Sequence, residues 1–361
     1  MIPRLYSKVS NIASSFICSI NNCSYCRATE TLNGDKILEL KTDINDASAE
    51  MLVSGLTILA KANNYQEPQL YTITETIRKT DGSIEISCNH IKNLAYSVIL
   101  DSQEFLNEYT PAEIFERLNI KLPYAMSFES NIVTKKQPNA IEHCTKFGDF
   151  LSSDDGLVRL FDAELEFDNK TIYFKDRVGS ISNYKLRYGS NISSAQQIES
   201  AENLYSHVLP YGKVNYINSI SHESKEKTIT TTNEVEIPDS VCVYHRTIPI
   251  SCDLISQNYT VYSNGTGYAE AREAMKTFAL GVAKAHGYNN RKISISVDFD
   301  SALDDMQNLS LGDTVTVILD KFGTTATARI SSYEYDCLLE RYTKFDIGTP
   351  AVTLADILTR R

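Results

Sequence analysis

Apolar and polar positions alternate with a period of two along much of this chain, the pattern of strands with one buried face. The alternation is clearest in the last stretch, where Val315 and Val317 alternate with Thr314 and Thr316. Lys321-Phe322-Gly323 then makes a turn, and Ala326, Ala328 and Ile330 alternate against Thr325, Thr327 and Arg329, so a second strand returns antiparallel. Tyr333, Tyr335 and the stretch Leu338 to Tyr342 continue into a third strand. This is a β-meander, a barrel-building unit.

Earlier in the chain, two strand-like runs lie between Phe16 and Leu40, with Phe16, Cys18 and Ile20 on one face and Asn33-Gly34 as the hairpin turn. Glu50 to Ala62 fits either a short helix or a strand followed by a loop. Leu70 to Ile77 and Ile84 to Cys88 alternate around Asp81-Gly82, a second hairpin. Together these predict a β-barrel-like first domain of roughly one hundred residues.

The period changes near Ser102. Thr110-Pro111-Ala112-Glu113 is a capping box with proline at the first helical position, and Ile114, Phe115 and Leu118 supply its apolar stripe. A second helix is expected from Ala140 to Leu151, with Ile141, Cys144, Phe147 and Leu151 inward and Asp154-Asp155-Gly156 stopping it. A hairpin from Leu165 to Phe174, turning at Asp168-Asn169, closes an α+β unit. Asn203 to Lys213 reads as a strand re-entering the barrel-like body, and Ser219 to Glu236 as a long exposed hairpin. Gly267 to His286 is the one extended helix, with Met275, Phe278, Leu280 and Val282 among its apolar positions. A strand from Lys292 to Phe299 follows it, and Thr353 to Arg361 reads as the first turns of a helix.

At 361 residues the chain is too long for one simple core. Its net charge of −11 argues against a protein that coats nucleic acid or binds anionic membranes. No apolar run approaches the roughly 18–20 residues needed to span a bilayer. The opening Met1 to Ser7 lacks the basic-then-apolar plan of a signal peptide. These features predict synthesis in a reducing cytoplasm with the eight cysteines mostly free.

Candidate chemistry is sparse. Cys18, Cys23 and Cys26 have a C-x4-C-x2-C spacing, but the fourth cysteine of an iron–sulfur set is missing and Cys18 sits in an alternating strand. His222-Glu223 begins like a zinc-protease helix, yet Glu226 stands where the second imidazole belongs. Gly265-Thr266-Gly267 opens the long helix like a dinucleotide-binding turn, with Glu270 in place of the third glycine. The paired acids Asp154-Asp155 and Asp304-Asp305 fall in turns, where solvated carboxylates are the rule. No G-x-S-x-G elbow occurs and the six histidines are scattered. The expectation is a protein with no catalytic, cofactor-binding or metal residues.

Three blocks carry a family resemblance. They are Leu165 to Lys175 followed by Arg177-Val178-Gly179 and Leu186 to Ile192; Asn203 to Lys213; and the terminal meander opened by Leu311-Gly312-Asp313-Thr314-Val315. In this order they resemble the tail-tip hub proteins of tailed phages and prophages, the family often labelled prophage tail endopeptidase or tail-associated lysin. The resemblance implies an α+β, β-rich fold of two barrel-like tube domains with two peripheral α+β insertions. The first tube domain would be residues 1–100, with 180–202 as a candidate completion, and 101–180 the first insertion. Residues 203–215 plus 301–350 would form the second tube domain, 216–300 the second insertion, and 351–361 a C-terminal tail or helix start.

The implied protein is a homotrimer at the virion tail tip, made in the host bacterial cytoplasm. Its implied partners are the distal tail protein or the tail-tube hexamer, the tape-measure protein and a downstream fibre or lytic domain. DNA would only pass through the lumen, where negative charge keeps a polyanion from sticking, although the same acidic balance equally serves solubility alone. Tyr211, Gly212 and Lys213 are the candidate assembly-surface residues, near the tube wall, and a strand-end turn explains them equally well. The competing classes are a tail-associated peptidoglycan hydrolase or endopeptidase, and a host-surface glycan-binding module suggested by the tyrosines and strands.

Overall fold

Short turns with left-handed or side-chain-braced residues fold the N-terminal alternation back on itself. Asn33 has φ +57°, and the Asp81 carboxylate accepts the Ser83 N–H at 2.9 Å. The computed structural model describes residues 1–9, 12–118, 122–141, 144–153, 156–188, 190–298, 308–322 and 324–348. The first strands are β1 (Arg4–Tyr6), β2 (Phe16–Ser19), β3 (Tyr25–Thr31), β4 (Lys36–Asp43), β5 (Thr57–Ala60), β6 (Gln69–Arg78) and β7 (Ser83–His90). They lie in the order β3-β4-β7-β6-β5-β1-β2, each antiparallel to its neighbours. The ambiguous Glu50 to Ala62 segment is a 3-10 turn at Ala49–Met51 followed by β5.

The helical excursion comprises α1 (Lys92–Tyr96), α2 (Pro111–Leu118), β8 (Ser127–Ser130), α3 (Phe147–Ser152), α4 (Leu157–Phe161), β9 (Glu164–Asp168) and β10 (Thr171–Lys175). The capping box forms as read: the Thr110 N–H donates to Glu113 Oε2 at 2.8 Å, and the Glu113 N–H donates to Thr110 Oγ1 at 3.3 Å. The helix expected from Ala140 does not begin there. Ile141 bridges to Gln103, and Cys144 is exposed with φ +67°, a conformation no right-handed helix accommodates. Only from Phe147 does the helix run, with Phe147 and Leu151 buried as expected. β10 pairs antiparallel to β9 and parallel to β8, over a core of Ile114, Phe147, Leu151, Phe161 and Phe174.

After β11 (Ile181–Arg187) and β12 (Ser194–Ser200) come β13 (His207–Ile217), β14 (Ser224–Thr230), β15 (Val235–Glu236), β16 (Thr247–Ser251), α5 (Asp253–Ser256), β17 (Thr260–Tyr262) and α6 (Tyr268–Ala285). The last strands among the described residues are β18 (Lys292–Asp298), β19 (Thr314–Leu319), β20 (Thr324–Asp336) and β21 (Arg341–Gly348). The third meander strand starts later than the sequence suggests, because β20 runs on to Asp336 and the turn that follows holds Glu340 at φ +53°.

Contacts divide the chain into two units. One joins Met1–Gln196 to Ile295–Gly348, and the other is Gln197–Ser294 among the described residues. A 13-stranded sheet, of which β12 and β18 run across the unit boundary, links the N-terminal strands to the meander through β20. Residues Thr324 to Arg329 of β20 pair with β19, and Ser332 to Asp336 pair with β3, while β21 runs along the opposite edge. The register slips between Ile330 and Ser332, a bulge of the kind that bends a strand where it changes partners. One apolar core containing Leu38, Ile86, Val315, Tyr333 and Phe345 serves both strand groups.

Three segments pair differently from the sequence reading. Residues 180–202 do not complete the N-terminal strands: β11 lies parallel to β19, and β12 adjoins β18. β18, expected in a peripheral insertion, stands between β12 and β21. Asn203 to Lys213 contributes to β13, which pairs with β14, β15, β16 and β17, in a separate five-stranded sheet from the meander. Alternation specifies a half-buried strand and leaves its partner open, which is why these three assignments moved.

The second unit packs α6 on that five-stranded sheet, over Val208, Val214, Val261, Met275 and Ala279. Phe278 and Leu280 are only partly buried there. No helix among the described residues is long and apolar enough to cross a membrane. The eight cysteines are free thiols. Thr353–Arg361 and the acid pairs Asp154-Asp155 and Asp304-Asp305 lie outside the described residues.

Candidate functional site

Tyr211, Gly212 and Lys213 sit in the middle of β13, where the strand meets α5. The Cys252 N–H donates to the Tyr211 carbonyl at 2.7 Å. The Lys213 N–H donates to Asp253 Oδ1 at 2.6 Å, and the Ser256 hydroxyl donates to the Lys213 carbonyl at 2.6 Å. Gly212 is required by this close approach: a Cβ there would stand 2.4 Å from Ser256 Oγ. The triplet is thus a seam that fixes α5 to the sheet, leaving the partly exposed Tyr211 ring and the Lys213 ammonium facing outward.

The decoy motifs resolve into structure. Cys26 is buried, and its thiol is pushed well up by hydrogen bonds to Cys23 and then Cys337, followed by burial. Cys18 stands on β2, its thiol raised by burial and then by Asp46. His222 is exposed in a turn at φ +57°, and Glu226 belongs to β14, so the two never share a helix face. Gly267 caps α6 at φ +84°, where a Cβ would lie 2.2 Å from the Thr260 carbonyl oxygen. That glycine lets α6 start against β17 and has a packing reason independent of any nucleotide.

Two open depressions stand out among the described residues. One, of about 470 Å³, is rimmed by Arg27, Ser194, Ser296, Asp298, Glu334 and Lys344. Its cations are already paired, Arg27 2.7 Å from Glu334 on the rim and Lys344 3.4 Å from the neighbouring Asp346. The other, of about 560 Å³, contains His207, Glu234 and His245. Sequence reasoning missed this trio because no local motif spaces it; only the pairing of β13 with β15 and β16 brings the three segments together.

Sheet edges form the remaining feature suited to assembly. Among the described residues β2 pairs with β1 alone and β11 with β19 alone, so each ends its sheet with an unpaired edge. Each edge strand carries an exposed apolar side chain, Phe16 on β2 and Ile181 on β11, the latter 77% exposed. Their β-branched or aromatic character was legible as strand grammar, whereas their exposure was not. Val243 and Tyr244 are likewise exposed, in an irregular stretch of the second unit.

No family model matches the chain, and no curated protein matches it either. Solved structures do share its fold from end to end. A 43 kDa tail protein of prophage MuSo2 from Shewanella oneidensis superposes with a TM-score of 0.62 at 12% identity, covering 98% of this chain and 100% of that one. Prophage tail protein gp18 from Listeria monocytogenes gives 0.58 at 14% identity, covering 99% and 98%. A tail protein from Neisseria meningitidis gives 0.58 at 11% identity with the same coverage. The chain therefore has the fold of prophage tail proteins.

Proposed function

We propose that this chain is the structural hub of a phage or prophage tail tip, three copies closing into a ring around the channel for DNA. The observation that carries this reading is β20, one strand whose two halves serve two successive strand groups. A three-fold ring continues a six-fold tube only when each chain supplies two comparable surfaces, and β1–β7 on one side with β11, β12 and β18–β21 on the other are those two surfaces. The unpaired edges of β2 and β11 suit a head-to-tail contact that repeats around the ring. Residues 101–180 and the second unit are then insertions on the tube modules, and the net charge of −11 disfavours retention of passing DNA.

In this role the chain is non-enzymatic. It attaches to the distal tail protein or tail-tube hexamer, meets the tape-measure protein, opens for ejection and precedes a fibre or lytic domain. Tyr211 and Lys213 are retained as assembly-surface candidates through their outward groups. The test is light scattering of the purified chain, alone and with a distal tail protein. A three-chain species that binds the distal tail protein supports the reading. Zymography on cell walls that shows clearing abolished by a single Asp, Cys or His substitution would replace it with a hydrolase.

A further inference from the structure

The geometry points to a divalent transition-metal site formed by His207, Glu234 and His245 in the second unit, of the kind that accepts Zn2+. The candidate ligand atoms all lie within 4.8 Å of one another. His245 Nε2 is 2.7 Å from Glu234 Oε2, a hydrogen-bonded contact that would open to the spacing of about 3.3–3.6 Å between neighbouring ligands of a tetrahedral zinc ion bonded at about 2.0–2.2 Å. The two imidazole rings stand with centroids 4.4 Å apart. Glu234 and His245 are exposed and His207 half-buried, so the three side chains stand at a rim where an ion can reach them.

A supporting contact prepares His207. Its Nδ1 is 2.8 Å from the Ser206 hydroxyl, which also accepts the Arg246 N–H at 2.8 Å and reaches the Arg246 carbonyl at 3.2 Å. With the hydroxyl proton given to that carbonyl, Ser206 accepts Nδ1–H and leaves the Nε2 lone pair free for a metal. A separate observation marks the same depression: Thr231, 8% exposed, lines it with a buried Oγ1 that has no hydrogen-bond partner.

The donor set selects the ion. Two imidazoles and one carboxylate suit Zn2+ and its d-block neighbours, whereas Ca2+ and Mg2+ prefer all-oxygen sets. The consequence is structural. His207 opens β13, Glu234 immediately precedes β15, and His245 precedes β16. An ion there would clip the strand ends flanking the start of β13.

Isothermal titration of the untagged, chelator-stripped full chain with ZnCl2 tests this, with Co2+ as a spectroscopic probe. One equivalent binding in the micromolar range, unmoved by millimolar Mg2+ and giving visible d–d bands with Co2+, is the expected result. His207→Ala/His245→Ala should weaken binding at least tenfold and Glu234→Gln severalfold, while both variants keep the parent circular-dichroism spectrum. Binding of equal strength in the double variant, displacement by Mg2+, or no saturable binding would overturn the site.

Discussion

Removing Arg329 should damage the first unit severely. The arginine is 8% exposed on β20, and its guanidinium reaches Glu164 Oε1 at 2.5 Å and Oε2 at 2.8 Å on β9. The same group donates to the Val178 carbonyl at 2.7 Å and the Gly312 carbonyl at 2.9 Å. Arg329→Met would strand a buried carboxylate with the Val178 N–H among its donors, and deprive both carbonyls of theirs. Breaking a buried pair from one side costs about 3–5 kcal/mol. Removing both charges with Glu164→Leu/Arg329→Met should be milder, recovering about 2 kcal/mol relative to the arginine variant. Urea unfolding followed by far-UV circular dichroism gives both numbers. A loss below about 1 kcal/mol for Arg329→Met, or a double variant as damaged as the sum of the singles, would refute the reasoning.

Three further outcomes follow from the packing. His90 is buried, its ring nitrogens committed to Gln69 Oε1 at 3.2 Å and the Lys92 N–H at 3.2 Å; burial, then Lys36 and Lys92, hold its pKa well below 6.5. The unfolded chain therefore takes up the proton first, so stability should fall as pH drops below 6.5, by up to about 1.4 kcal/mol per unit, and His90→Gln should flatten that slope in urea titrations. Burial lowers the Lys92 pKa from 10.5 to about 8, so its contribution to stability should rise as pH climbs from 8 to 10.5; thermal melts of Lys92→Met should lack that rise. Equal pH slopes in variant and parent would contradict either claim. Gly212→Ala should cost about 1–3 kcal/mol by forcing Ser256 off the Lys213 carbonyl, read as a lower melting temperature, and a neutral result would mean α5 shifts freely.

Local chemistry was legible wherever it was self-contained. Thr110 and Glu113 announce α2 because both halves of the capping box lie within one turn. Gly267 to His286 announces α6 through its length and cap, and the β6–β7 and β9–β10 hairpins through their turn residues. Partner choice was not legible, because β13 and the meander strands share one grammar and only tertiary packing separates them. Lys36 shows the same gap at the scale of one side chain. It reads as a strand-surface lysine, yet it is 2% exposed, 3.2 Å from Glu30 and donating to Gln66 Oε1 and the Phe167 carbonyl, each at 2.9 Å. Its burial depends on the Leu165 to Phe174 hairpin folding over it, which no window around residue 36 reveals. The metal trio was hidden for the same reason, its members being joined by strand pairing alone.

The central claim is that strands split between two groups by β20 build the wall of a three-fold ring. Electron cryo-microscopy of the chain bound to its distal tail protein tests it most directly. The account predicts three copies of the 40.5 kDa chain around one axis, with both strand groups lining the channel and the β2 and β11 edges at the contacts between copies. A single copy per complex, or a ring whose channel is lined by the second unit, would contradict it.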